Sequence, residues 1–240
     1  MQQSATAPEL DLDSVTLSSY ERVRLTMPSL PHAKDDDVDA QLFEYVASAD
    51  KDSHITCIAD LDDEWVRSMF DGMNTMAELR DAIKRDLDKH YLRDWNALKF
   101  QRCTDALVAR VEADISDEVL DKNVEASRAQ YDQRLASFGM TKAQYLREER
   151  MTEEEYEQKL RDDVAFQLKL NAGLDKLIEA TNIDVPKSEL HEYLACDDPA
   201  EFAAELEKNG KVEEARHAAA RVKAMRRLVE AAEVEIEPAS

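Results

Sequence analysis

Seven apolar residues, Met76, Leu79, Ile83, Leu87, Tyr91, Trp95 and Leu98, follow one another at intervals of three or four. That spacing is the period of one face of an α-helix. Nothing breaks the helix before about Ala113. At ~1.5 Å per residue, a helix over 76–111 would span roughly 50 Å. A compact globule of this chain length has a radius of gyration of only about 18 Å. The stripe therefore predicts an elongated helical molecule.

Composition points the same way. Four Gly and six Pro in 240 residues are too few for sandwiches, propellers or Gly-loop nucleotide folds. The chain carries 53 Asp plus Glu against 31 Lys plus Arg, a formal net charge of -22. Phosphate recognition draws on clustered cations and the counterions they release, so nucleic acid and anionic membranes are poor partners. No apolar run approaches the roughly 20 residues of a membrane span, and Met1 to Pro8 lacks the features of a signal peptide. The expectation is a cytoplasmic protein. Cys57, Cys103 and Cys196 are odd in number and widely spaced, the pattern of reduced packing cysteines rather than of disulfides or a zinc site.

Along the chain, residues 1–34 contain Pro8, Pro28 and Pro31 and the alternation Val23, Leu25, Met27. They read as an extended N-terminal arm with one short strand, ahead of a helical domain over 35–240. A first helix starts at Asp35-Asp-Asp37, whose carboxylates can cap free amides, and runs through Val38, Leu42, Phe43 and Val46. Ile55 to Ile58 reads as extended, followed by a helix around Trp65, Met69 and Phe70 that stops at Gly72. After the long stripe, a helix follows Ser116 to Phe138 and Gly139, and a short one holds Tyr145 and Leu146. Thr152 and Glu155 form a capping box for a helix running to Leu177. Short helices follow Pro186 and Pro199, and a last helix carries Val212, Ala215, Ala219, Val222, Met225 and Val229 as a packing seam.

One pattern repeats. Leu177-Ile-Glu-Ala-Thr-Asn-Ile-Asp-Val185 resembles Leu228-Val-Glu-Ala-Ala-Glu-Val-Glu-Ile236, and Leu107 to Ile115 keeps the same outline. The spacing is too uneven for a solenoid, so the copies read as three returns of helical hairpins to a shared base, with grooves between them.

Catalytic chemistry finds little support. His32, His54, His90, His191 and His217 are scattered, and each of the four glycines is isolated. Metal ligation, a phosphate loop and a nucleophile elbow all lack their residues. The chain reads as a non-enzyme without cofactor or metal. Aromatic and thioether side chains near turns, Phe138, Met140, Tyr145, Met151, Tyr193 and Phe202, instead suit adaptable contacts with apolar segments of varied sequence.

From Leu61-Asp-Asp-Glu-Trp65 through Met76-Ala-Glu-Leu-Arg80, Arg134 to Gly139, the Ile-Asp-Val-Pro186 junction, Asp198-Pro-Ala-Glu201 and the closing helix, the chain resembles the C-terminal domain of trigger factor, the bacterial ribosome-associated chaperone. Residues 20–46 resemble the segment joining that family's ribosome-binding and prolyl-isomerase domains. The docking loop Gly-Phe-Arg-x-Gly-Lys has no match, and only about 15 residues separate the first helix from Leu61 where the family holds a β-rich isomerase domain. The resemblance implies a helical body with protruding hairpin arms, of the trigger factor C-terminal or SurA-like type, that cradles unfolded or nascent polypeptide without ATP. Ribosome binding and proline isomerisation are not expected, and a homodimer is left open. The arm-tip contacts would fall to Phe138, Met140 and Tyr145, and those beside the other hairpin to Tyr193, Leu194, Phe202 and Leu206. The alternative is a helical scaffold or assembly factor with one dedicated protein partner.

Overall fold

The computed structural model describes residues 8–48 and 55–238, which are mostly helical. His54, residues 1–7 of the expected arm and the last two residues of the chain lie outside the described residues. The fold is all-α, with four short strands beside nine α-helices among the described residues. The chain divides into two compact units: a smaller one of Thr26–Gln101 with the residues from Val234 on, and a larger one of the residues up to Leu25 with Arg102–Glu233.

In the smaller unit, α1 (Asp35–Ala47) begins as its acidic triplet predicts, with the Asp37 carboxylate accepting from the Lys34 amide at 2.8 Å. Together with α2 (Asp63–Met69) and the first three turns of α3 (Met76–Val108), it closes a core of Val38, Leu42, Leu61, Val66, Leu79 and Ile83. Val38 and Leu42 are one turn apart and fix the buried face of α1, so Phe43, expected on that stripe, points away and is exposed. The rings of Tyr45, Trp65 and Phe70 pack around this core at 5.6 to 6.1 Å. Farther along α3, the Trp95 indole donates to the Pro28 carbonyl at 2.9 Å.

The expected extended piece Ile55 to Ile58 is instead closed by a 3-10 turn over Ile58–Asp60. The cause is Asp60, whose carboxylate accepts from the Thr56 amide and hydroxyl at 2.8 Å and from the Cys57 amide at 3.0 Å. These bonds, the Thr56 amide foremost, lower its pKa to about 2 from the ordinary 3.8. A depressed carboxyl stabilises the turn above its unfolded pKa and loses that contribution as the pH falls through the folded value. An NMR titration of the Asp60 carboxyl is therefore expected to give a midpoint near 2. A midpoint near 4 would show that the turn is open in solution.

In the larger unit, α3 ends at Val108, three residues short of the expected 111, because a longer-range partner takes the chain over. β3 (Val111–Glu112) pairs antiparallel with β1 (Thr16–Leu17), Leu17 opposite Val111. The Arg110 guanidinium fastens the next stretch by donating to the carbonyls of Glu21 and Arg22. β2 (Arg24–Met27), the predicted strand, buries Leu25 and Met27 and pairs with β4 (Glu233–Ile236). The Glu233 amide donates to Val23 and the Glu237 amide to Met27, a constant offset that makes the strands parallel.

The rest of this unit is built on α6 (Glu153–Thr181). Its stripe Tyr156, Leu160, Val164 and Leu168 packs with Val124 of α4 (Asp117–Ser137). It runs one turn beyond the expected Leu177 and reverses at Asn182, which adopts φ +50° while Ile183 donates back to Ile178. Gly173 lets the end of α3 approach, since a Cβ there would lie 2.9 Å from a Val111 methyl and 3.3 Å from Leu107. α9 (Val212–Ala231) packs on α6, burying Met225 and Ala215, Ala219, Ala220 and Ala224, whose small side chains permit close helix approach. One charged group is buried here. Asp175, 4% exposed, accepts from Arg221 Nε at 2.8 Å and faces His217 Nε2 at 2.9 Å. Arg221 also reaches Glu9 at 2.8 Å, tying the N-terminal segment to α6 and α9. Burial alone would lower the Arg221 pKa, but the bonds and charges of Asp175 and Glu9 raise it above its ordinary value.

Candidate functional site

Two reversals shape the tip that joins α4 to α6. α4 closes when the amides of Gly139 and Met140 donate to Ala136 and Leu135, with Gly139 at φ +68°. That conformation suits a residue without Cβ, and it leaves the preceding Phe138 at the bend, 73% exposed. Thr141 and Gln144 then form a capping box for α5 (Lys142–Glu148). Arg150, at φ +55°, turns the chain again into the Thr152–Glu155 capping box that opens α6. Phe138 is thus an apolar ring held on a short, hydrogen-bonded turn.

Tyr131, Tyr145 and Tyr156 of α4, α5 and α6 cluster together, their ring centroids 6.1 to 6.4 Å apart. Tyr156 is buried, with no hydrogen-bond partner for its hydroxyl, and the Lys142 ammonium sits 4.6 Å over its ring. Lys142 also bridges Glu153 at 2.9 Å and Glu157 at 3.1 Å. Burial raises the pKa of Tyr145 and Tyr156; the Glu153 hydrogen bond raises that of Lys142; the Arg128 hydrogen bond lowers that of Glu157. The shifts keep both tyrosines neutral, Lys142 cationic and Glu157 anionic, so this cluster offers charge and apolar surface rather than proton transfer. Beside it an open groove of about 310 Å³ runs between α4, from Ser127 to Arg134, and α6, from Leu160 to Gln167. Tyr131 borders it and is 39% exposed.

The expected contact residues fall into two groups. Phe138, Met140 and Tyr145 all lie in the stretch that joins α4 to α6, Phe138 exposed, Met140 half-buried and Tyr145 half-buried against the α4–α6 core. Tyr193 ends α7 (Leu190–Tyr193), and Phe202 and Leu206 lie on α8 (Pro199–Lys208); both helices pack on α9. These three and Leu194 are half-buried. The Tyr193 ring is covered by Arg226 at 5.0 Å and Lys223 at 5.5 Å. Tyr131, which borders the groove, is not among the expected contact residues.

Sequence reasoning also missed a second groove, of about 190 Å³, although the repeated segments pointed toward it. Leu177 and Ile183 of one copy and Leu228 of another line this groove together with Val23. The remaining copy does not reach it in the same way, since its Leu107 and Val111 pack against Gly173. Among the described residues no three His, Cys, Asp or Glu side chains are placed to hold a metal ion, and no helix is long and apolar enough to cross a membrane.

The family described as bacterial trigger factor protein (TF) C-terminus matches residues 75–230. Trigger factor of Nocardioides sp. is 29% identical over 74% of this chain and 39% of its own length. Trigger factor of Finegoldia magna is 26% identical over 76% of this chain and 43% of its own. The chain therefore spans about two fifths of these relatives. A solved structure of trigger factor domains from Thermotoga maritima aligns over 59% of this chain and 86% of that one, at 20% identity and a TM-score of 0.47.

Proposed function

Because the chain belongs to the bacterial trigger factor family through that family's C-terminal domain, we propose that it is an ATP-independent holding chaperone that shields apolar segments of unfolded or nascent polypeptides. The observation that carries this reading is Phe138, a large apolar ring 73% exposed on a closed turn, four residues along the chain from Arg134, which lines an open groove. Met140, Tyr145 and Tyr131 extend the surface at the tip, and Tyr193, Leu194, Phe202 and Leu206 supply a second one.

Magnitudes set the mode of binding. Covering 100 Å² of apolar surface yields about 2.5 kcal/mol at 25 cal/mol per Å². Association costs at least about 4 kcal/mol, so one ring cannot hold a client. Several contacts along one segment can, and each releases independently, which gives reversible, multivalent holding. The net charge of -22 keeps a loaded complex soluble and favours basic clients overall.

The test is suppression of aggregation of two or more unrelated unfolded proteins. Phe138→Ala is expected to weaken suppression several-fold while changing stability by less than about 0.5 kcal/mol, as for a surface substitution. Failure of the unsubstituted protein to suppress any of them, with stoichiometric recovery of one protein partner, would favour a dedicated scaffold instead.

A further inference from the structure

The groove at the helix ends differs in charge from the rest of the molecule. Its walls are Val23, Leu177, Ile183, Ala224, Leu228 and Ala231, and its polar border carries Arg22 and Arg227 with Glu21. All of these lie in the larger unit. On a chain of net charge -22, the groove's own charged lining sums to +1, two arginines less one glutamate.

The basic side chains of α9 make the point sharper. Arg216 is bound to Glu213 and Asp184, Arg221 to Asp175 and Glu9, and Lys223 to Glu189 and the Asp184 carbonyl. Arg226 donates to the Glu192 carbonyl and covers Tyr193. Arg227 has no such partner among the described residues, yet it stands at the mouth of an apolar groove. The neighbouring strand shows what arginines here accept. The chain's own Glu233 reaches Arg24 at 3.3 Å and Arg22 at 3.9 Å while its amide pairs with Val23.

We propose that this groove binds acidic–aliphatic segments of client polypeptides, an aliphatic side chain entering between Leu177, Ile183 and Leu228 while an adjacent carboxylate pairs with Arg227. The site rests on the chaperone reading for its class of ligand. It adds a selectivity opposite to that expected from the net charge: acidic segments at the groove, basic segments elsewhere.

The experiment uses the full chain and two fluorescein-labelled eight-residue peptides, one alternating leucine and glutamate, the other leucine and lysine, read by fluorescence anisotropy at low salt. Because the leucine–lysine peptide also meets the acidic surface elsewhere, the readout is the change on substitution. Arg227→Glu is expected to weaken the leucine–glutamate peptide at least about threefold, the scale of one surface ion pair, a loss that fades as salt rises, and not to weaken the leucine–lysine peptide. Ala231→Trp, which fills the groove without changing charge, should weaken the leucine–glutamate peptide alone. Both variants should keep the thermal midpoint. Unchanged leucine–glutamate binding in either variant, or an equal loss for both peptides, overturns the proposal. Loss of aggregation suppression in the unsubstituted protein with these peptide effects intact would instead remove the chaperone reading and leave the groove assignment standing.

Discussion

Alanine at Asp175 is expected to destabilise the larger unit by about 3–5 kcal/mol, the cost of breaking a buried pair by removing one partner. The carboxylate is 4% exposed and faces both Arg221 and His217, and the Arg221 side chain is itself only 16% exposed. Without Asp175 the guanidinium stays desolvated with Glu9 as its remaining carboxylate, and Glu9 is half exposed. Urea unfolding followed by circular dichroism measures the loss. A change below about 1 kcal/mol would mean that water reaches the guanidinium and the pair behaves as a surface bridge. The paired replacement Asp175→Leu with Arg221→Met should recover most of the loss, because apolar groups of similar volume often replace a buried ion pair at little cost.

Leucine at Gly173 is the second substitution with a large expected effect. Even a single Cβ would stand 2.9 Å from Val111 Cγ2 and 3.3 Å from Leu107 Cγ. Alanine must displace one valine methyl by a few tenths of an ångström, and its better helix propensity, worth about 1 kcal/mol, offsets that strain. Gly173→Ala is therefore expected to fall within about 1 kcal/mol of the original. Leucine adds three further carbons against side chains that are themselves buried, and overpacking of this kind costs about 3 kcal/mol. For a unit of this size that corresponds to a fall in thermal midpoint of about 6–12 °C. Equal melting of the leucine and original proteins would show that α3 and α6 do not meet as described.

These two positions also mark what could be read from the chain and what could not. The stripe of α6 was legible, and Asp175 falls on its continuation, three residues after Ala172 and seven after Leu168. A carboxylate in an apolar register signals burial with a partner, but the choice of Arg221, 46 residues away, depends on how α9 returns. Gly173 looked like an isolated glycine because its neighbours Leu107 and Val111 belong to a distant helix end. The tip was clearer, since Gly139 and the Thr152–Glu155 pair are local turn and cap signals, and Phe138 beside them had to sit at a bend. The end of α3 was misplaced for the opposite reason. Val111 suits the helical run, and only Leu17, joined to it across the β1–β3 ladder, draws it into a strand.

The turns of the α4–α6 tip are closed by bonds between residues three to five apart, so this hairpin can form within microseconds of its residues becoming available. The carbonyl of Val23 has no such freedom, because its hydrogen-bond donor is Glu233. During vectorial synthesis this strand gains its partner only after the long intervening stretch, α9 included, has been made, so its pairing is a late, long-range contact.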